Sequence, residues 1–320
     1  MIDLRSYQNK PLPTVDGEVK TSVTTLMAFM AAGVVRRMNR PFLLVLDAYF
    51  AVGPVFAILK DVVDAQGQRL VHVITRAESN AVGYQEPPPR TGLRGAPRKY
   101  GDKVSMISLF DKEHLFQEIA LEIYRERKTI LFYCIDLIWK PIKQKVRFVL
   151  VKDGNERFIL LTSDLTLSPQ DIITAYSHRF KIEVTFKVMK HLLGVFFYHF
   201  WTSAWPKIGK NNQSVISSLI PDHKRLIVQA TNAIEGFVNF GCIATGTLQI
   251  LALKHHEKIW QSYRRWLRTY TSYIPSEEVV RSVIQEEFLH NFRSFRNSAI
   301  YRIIMSKSRK NQQHQLPMVA

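Results

Sequence analysis

Apolar positions recur with helical spacing through residues 21–38, and the chain then passes through Asn39-Arg40-Pro41 into FLLVLD, residues 42–47. A short apolar run after a proline has the pattern of a central strand covered on both faces. A helix is expected from about Val52 to Ala65, stopping near Gly67, and LVHVITR, residues 70–76, reads as a second strand. Helix, strand, helix, strand predicts an α/β layer with parallel strands. The pattern changes after Arg76. Pro87-Pro88-Pro89 and the basic stretch RTGLRGAPRKYG, residues 90–101, show no apolar period. KVSMISLF, ILFYCIDLIW, VRFVLVK and RFILLT come next as β-like runs, with Asp153-Gly154-Asn155 as a turn that pairs the last two in a hairpin. Residues 77–165 are therefore read as a β-rich insertion. From Ser168 the pattern is mainly helical, with a polar, basic tail after Ser306.

The helix that begins this last region has marked ends. Ser168 suits the N-cap, Pro169 the first helical position and Asp171 the position three residues after the cap, while Gly194 suits the C-terminal stop. About seven turns lie between them. At helical spacing Tyr176, Arg179, Glu183 and Lys190 share an arc of about 60°. That arc borders the apolar stripe of Ile182, Phe186, Met189 and Leu193. Two readings stand. The row is a surface ladder with Arg179–Glu183 as an i,i+4 ion pair, or it holds a metal-binding carboxylate flanked by phosphate-binding cations. Asp47, at the end of FLLVLD, also has two readings: an N-cap for the next helix, or an acid at the carboxyl end of a parallel strand, where open α/β sheets place their chemistry.

Composition narrows the partners. The formal net charge is +17 and the pI about 9.9, which favours polyanions, nucleic acid ahead of anionic membrane. From Phe186 to Tyr270, Lys and Arg far outnumber acids, which suits phosphate contacts. Trp201 and Trp205 lie in this segment as core residues or as stacking partners for bases. Cys134 and Cys242 have no CxxC spacing, so a reduced, intracellular protein without a cysteine zinc site is expected. His255-His256-Glu257 reads as a solvated helix face. The uncharged run Thr21 to Val35 is shorter than the roughly 20 residues that span a bilayer, so it is read as a buried helix, with no signal peptide and no membrane partner.

Tyr176, Arg179, Glu183 and Lys190 match, at every spacing, the Y-(2)-R-(3)-E-(6)-K signature of IS4-type DDE transposases. LSPQDIITAYSHRFKIEVTFKVMKHLLG resembles that family's signature helix. LVLDAYF, with VITRAESN after it, resembles the region of its second catalytic aspartate, and RGAPRKYGDKV is similar to a basic linker in relatives. The resemblance covers roughly residues 40–205.

It implies an RNase H-like α/β catalytic core interrupted by a β-rich insertion, with a helical C-terminal region. The implied divisions are a partial core at 1–76, the insertion at 77–165, a core continuation at 166–205 and a basic helical region at 206–320. Asp47 and Glu183 would be catalytic and would ligate Mg²⁺, with Mn²⁺ as a substitute, in a two-metal site. Tyr176, Arg179 and Lys190 would bind DNA phosphates. The implied partners are DNA (terminal inverted repeats and target) and a second copy or a full-length transposase; the implied location is the cytoplasm, at the nucleoid. The family uses three acids. Asp3 and Asp16 are the only aspartates before Asp47, and neither ends an apolar strand. The first catalytic strand is therefore expected to be missing, which leaves one edge of the core uncovered and keeps open an inactive DNA-binding remnant or inhibitor of a full-length transposase.

Overall fold

The first helix begins where a hydroxyl can satisfy an orphan amide. Ser22 Oγ accepts from Thr25 N at 3.2 Å and caps α1 (Val23–Met38). Asn39, at φ 46°, ends it in the left-handed conformation that asparagine tolerates. Pro41 then leads into β1 (Phe42–Leu46). The computed structural model describes residues 22–89, 98–124, 126–205, 220–267 and 273–291. The chain divides between Glu183 and Val184 into two compact units.

The unit before that division is a mixed α/β structure around one eight-stranded, mostly antiparallel sheet. Its strands are β1, β2 (Val71–Ala77), β3 (Val82–Tyr84), β4 (Lys103–Ser105), β5 (Gln117–Ile123), β6 (Glu126–Trp139), β7 (Gln144–Asp153) and β8 (Glu156–Thr162). Their order is β1-β2-β8-β7-β6-β3-β4, with β5 also paired to β6. β1 runs parallel to β2, from Phe42 opposite Val71 to Leu46 opposite Thr75, as the helix–strand alternation predicts. The hairpin at Asp153-Gly154-Asn155 also forms: β7 and β8 pair antiparallel and Gly154 takes φ 57°.

Helices cover both faces because alternate strand residues point to opposite sides. On one face α1 and α2 (Gly53–Lys60) bury Ala28, Ala32, Phe56 and Leu59 against Val71, Val73, Phe148 and Leu161. On the other, Ile172 and Ile173 of α4 (Pro169–Ser177) pack with Ile74, Val149, Val151 and Leu160.

Three expectations change. FLLVLD is an edge strand and not a central one: among the described residues β1 pairs only with β2, and Leu43 is exposed. Its apolar run reports the packing of Phe42, Leu44 and Leu46 against one face, which says nothing about neighbours within the sheet. KVSMISLF is a three-residue strand followed by the short helix α3 (Met106–Leu109), which buries Met106 and Leu109 at i,i+3 spacing. The helix expected to reach Ala65 stops at Lys60. There Asp64 Oδ1 takes the amides of Gln66 and Gln68 at 2.9 and 2.8 Å, offering the backbone a turn in place of a helix. β8 pairs antiparallel with β2, so the β-rich run shares one sheet with the first two strands.

The unit after the division is helical. α6 (Pro221–Lys254) packs with α7 (His256–Ser262) and α8 (Glu277–His290) around Leu248, Ala252, Ile259, Val279 and Val280. Val195 sits against Gly241, where a Cβ would fall 2.4 Å from it. By length and composition alone, α6 is long and apolar enough to cross a membrane. Its uncharged stretch from Gly236 to Leu253 is longer than the Thr21 to Val35 run on which the membrane expectation rests. The tail after Ser306 lies outside the described residues.

Candidate functional site

Asp47 stands where β1 ends. Thr75 Oγ1, fully buried on β2, donates to Asp47 O at 2.9 Å and ties the strand ends together. Asp47 Oδ1 accepts from Ala48 N at 2.7 Å and caps the 3₁₀ turn Ala48–Phe50. The capping reading of this acid is therefore correct, yet the residue remains exposed at the carboxyl end of a parallel pair, so capping does not remove it from chemistry.

The signature segment starts as the sequence predicts. Asp171 N donates to Ser168 Oγ at 3.1 Å, Ser168 Oγ donates to Asp171 Oδ2 at 2.6 Å, and Pro169 opens α4. Gly194 closes the segment at φ 63°. Between these ends the helix is not uniform. α4 gives way to a 3₁₀ turn at His178–Phe180, then to α5 (Lys181–Lys187) and a π-helical turn at Val188–Leu192. A 3₁₀ step advances each residue by about 120°, against about 100° in an α-helix. The uniform α-helical spacing behind the expected arc therefore does not carry across the segment. Nor does the apolar border, since Ile182 and Phe186 are about half exposed while Met189 is buried.

Within the first unit, three signature residues lie in mutual reach. Tyr176 is partly buried among the α4 core residues. Arg179 Nη2 binds Glu183 Oε1 at 2.8 Å, the i,i+4 pair of the surface-ladder reading. Burial pushes the Tyr176 phenol above its ordinary pKa; Arg179 opposes that shift, Asp47 adds to it and Arg76 opposes it. Burial acts to lower the Arg179 guanidinium, but its bond to Glu183 and the charges of Tyr176, Asp47 and Glu183 hold it above its usual value. Asp47 thus acts electrostatically on both Tyr176 and Arg179. Lys190 belongs to the second unit, exposed in the π-helical turn beside buried Met189.

Arg76 is the residue that pattern reading missed. It lies on the same face of β2 as Ile74, at the end where Asp47 stands, and its guanidinium lies 5.6 Å from the Phe158 ring centre. The available signal was its place two residues after a core isoleucine in LVHVITR. A cavity of about 400 Å³ opens beside it, lined by Arg76, Ser79, Ile107, Phe110, Arg157 and Phe158.

A second polar group gathers Ser163, His72 and Asp164. Ser163 Oγ faces His72 Nδ1 at 3.5 Å and accepts from Val73 N at 3.1 Å. Asp164 Oδ1 accepts from Thr166 N and Thr166 Oγ1 at 2.9 and 2.6 Å, which makes it a turn former in the β8–α4 connection.

Asp47 and Glu183 offer the oxygen donors that a hard cation takes, and Mg²⁺ is commonly held by one or two carboxylates with substrate phosphates. Among the described residues there is no group of three His, Cys, Asp or Glu side chains placed to hold a metal. Asp3, Asp16 and most of RTGLRGAPRKYG lie outside the described residues. Trp201 is 74% exposed, unlike a core tryptophan. Comparison with protein-family models gives no match, and comparison with curated proteins gives none either.

Proposed function

We propose that this protein is by descent a DNA transposase of the DDE type, on an RNase H-like core, which cleaves and transfers DNA strands at element ends with Mg²⁺. The observation that carries the reading is the convergence of Asp47 with Tyr176 and Arg179, two of the four signature residues, from far along the chain. The parallel β1–β2 pair with Asp47 at its carboxyl end supports it. A Mg²⁺ held by Asp47, Glu183 and DNA phosphate oxygens would stabilise charge on the reacting phosphodiester. The remaining work falls to side chains. Arg179 offers a planar fork to a phosphate, which competes with Glu183 for the same guanidinium and so releases that carboxylate. Tyr176 donates from its hydroxyl, and Lys190 contributes a point charge to the backbone.

The test is incubation of the protein with its element's inverted-repeat ends and Mg²⁺ or Mn²⁺. Cleavage is expected, and Asp47→Ala and Glu183→Ala each abolish it; cleavage indifferent to both substitutions sinks the assignment. A second reading is a non-catalytic, nucleoid-associated DNA binder that pairs with itself or with a full-length transposase and inhibits it. It is favoured by the absence of a three-ligand group among the described residues and by the engagement of Glu183 with Arg179. Salt-sensitive DNA binding without nicking is its signature.

A further inference from the structure

We infer that Tyr124 and Arg147 are positioning residues that clamp α4 at its two ends and so set the direction in which Arg179 and Glu183 leave it; the inference rests on the proposed transposase function. α4 has nine residues, too short to be stable alone. Apolar contact seats it on the sheet, but such contact is non-directional and leaves rotation about the helix axis weakly fixed.

Directional bonds meet both ends. Before the N-cap, Leu167 O accepts from Arg147 Nη1 at 2.6 Å. The same guanidinium is locked to Asp136 on β6 by two parallel bonds of 2.8 Å from Nε and Nη2, with both side chains largely shielded. At the other end, Tyr124 donates from its hydroxyl to Ser177 O, the last carbonyl of α4.

That second bond falls where the helix changes type. In a continuous α-helix Ser177 O would accept from Lys181 N. Here Lys181 N turns to His178 O and Arg179 O, and His178 N to Ala175 O and Tyr176 O, in the tighter pattern. In the 3₁₀ pattern Ser177 O faces the amide three residues on, and the Tyr124 hydroxyl adds a side-chain donor to that carbonyl. Three residues of 3₁₀ rotate the succeeding helix by about 60° relative to a continuous α-helix, which is the scale of the whole arc that the signature residues would share on a straight helix.

Tyr124 itself is costly where it stands. It takes φ 55° in the β5–β6 turn, a conformation that glycine or asparagine occupies with less strain. Its side chain is 53% exposed, so core burial does not account for it. Backbone strain at an exposed tyrosine is offset here by what its hydroxyl holds.

The experiment uses the full chain with Tyr124→Phe, which removes only the hydroxyl, and Arg147→Lys, which keeps the charge but loses the fork. Amide hydrogen exchange read by mass spectrometry is expected to quicken about fivefold over residues 178–183 in Tyr124→Phe, as for loss of one net hydrogen bond, with the β7–β8 hairpin unchanged. On inverted-repeat DNA with Mg²⁺, kcat is expected to fall roughly tenfold with KM little changed, as for misaimed groups. Arg147→Lys should quicken exchange at the start of α4. Unchanged exchange at residues 178–183 in Tyr124→Phe overturns the clamp. Faster exchange with an unchanged kcat overturns its aiming role. A wild-type chain that cleaves no DNA counts against the proposed function, and exchange alone then decides whether the clamp exists.

Discussion

Two consecutive helices, separated by one 3₁₀ turn, are held in opposite ways. α4 buries Ile172 and Ile173 in a sheet-facing core and has side-chain bonds at both ends. α5 contains no buried residue, and its Ile182, Val184 and Phe186 are each about half exposed. The signature is thus split between a seated helix that fixes Tyr176 and a lightly seated one that presents Glu183. On the proposed function that difference would have a physical use, because exchange of Arg179 between Glu183 and a phosphate would need a helix that can yield.

The largest effect that would break this comparison is in the core. Ile172→Ala is expected to destabilise the chain by about 2–5 kcal/mol, whereas Ile182→Ala should stay within about 0.5 kcal/mol. Urea unfolding of the two variants measures both, and equal losses would erase the distinction. Next in size, Ser168→Ala should cost about 1 kcal/mol by removing the N-cap acceptor, with faster amide exchange in α4 and none in α5.

Smaller still is the ion pair. Glu183→Gln, alone or in a double-mutant cycle with Arg179→Met, should change stability by only a few tenths of a kcal/mol, since the carboxylate is about half exposed. If Glu183 is a ligand, the same substitution removes DNA cleavage, so a large activity loss with a small stability loss sharpens the contrast. The subtlest effect is in pH. The Tyr176 phenol is raised by burial, with Asp47 adding to it and Arg179 and Arg76 opposing, so the folded chain holds this proton longer than the unfolded one. Its contribution to stability is complete below the ordinary tyrosine range and is lost as pH rises through the folded value. Ultraviolet titration of wild type against Tyr176→Phe should show the missing phenol ionising above that range; a phenol at the ordinary value would mean that Tyr176 is not seated with α4.

Much of the scaffold was legible. Ser168, Gly154 and Gly194 act through their nearest backbone neighbours, so their roles can be read from a few residues at a time. The β1–β2 pair and the β7–β8 hairpin were equally open to reading, because period and turn chemistry are local. Of the site, Asp47 and the Tyr176–Arg179–Glu183 spacing could be picked out, but the apolar border of the row could not. Ile182 and Phe186 have the right period for a core stripe, and only the surroundings of α5 leave them open. Arg76 escaped notice because a charged residue in a strand looks like any solvated alternate position until Phe158 and Tyr176 stand beside it.

By itself the sequence determined the capped helix ends and the turn-marked strands, the charge that favours an anionic partner, and the residue types available for chemistry. Only the tertiary structure decided that β1 stands at the sheet edge among the described residues, that Asp47 acts on Tyr176 and Arg179, and that a tyrosine from the β5–β6 turn donates to the last carbonyl of α4. The physical reason is range. Caps, turns and periodicity are settled within a turn or two of chain, whereas strand order and the bend of a helix depend on bonds between residues far apart, whose geometry no local pattern encodes.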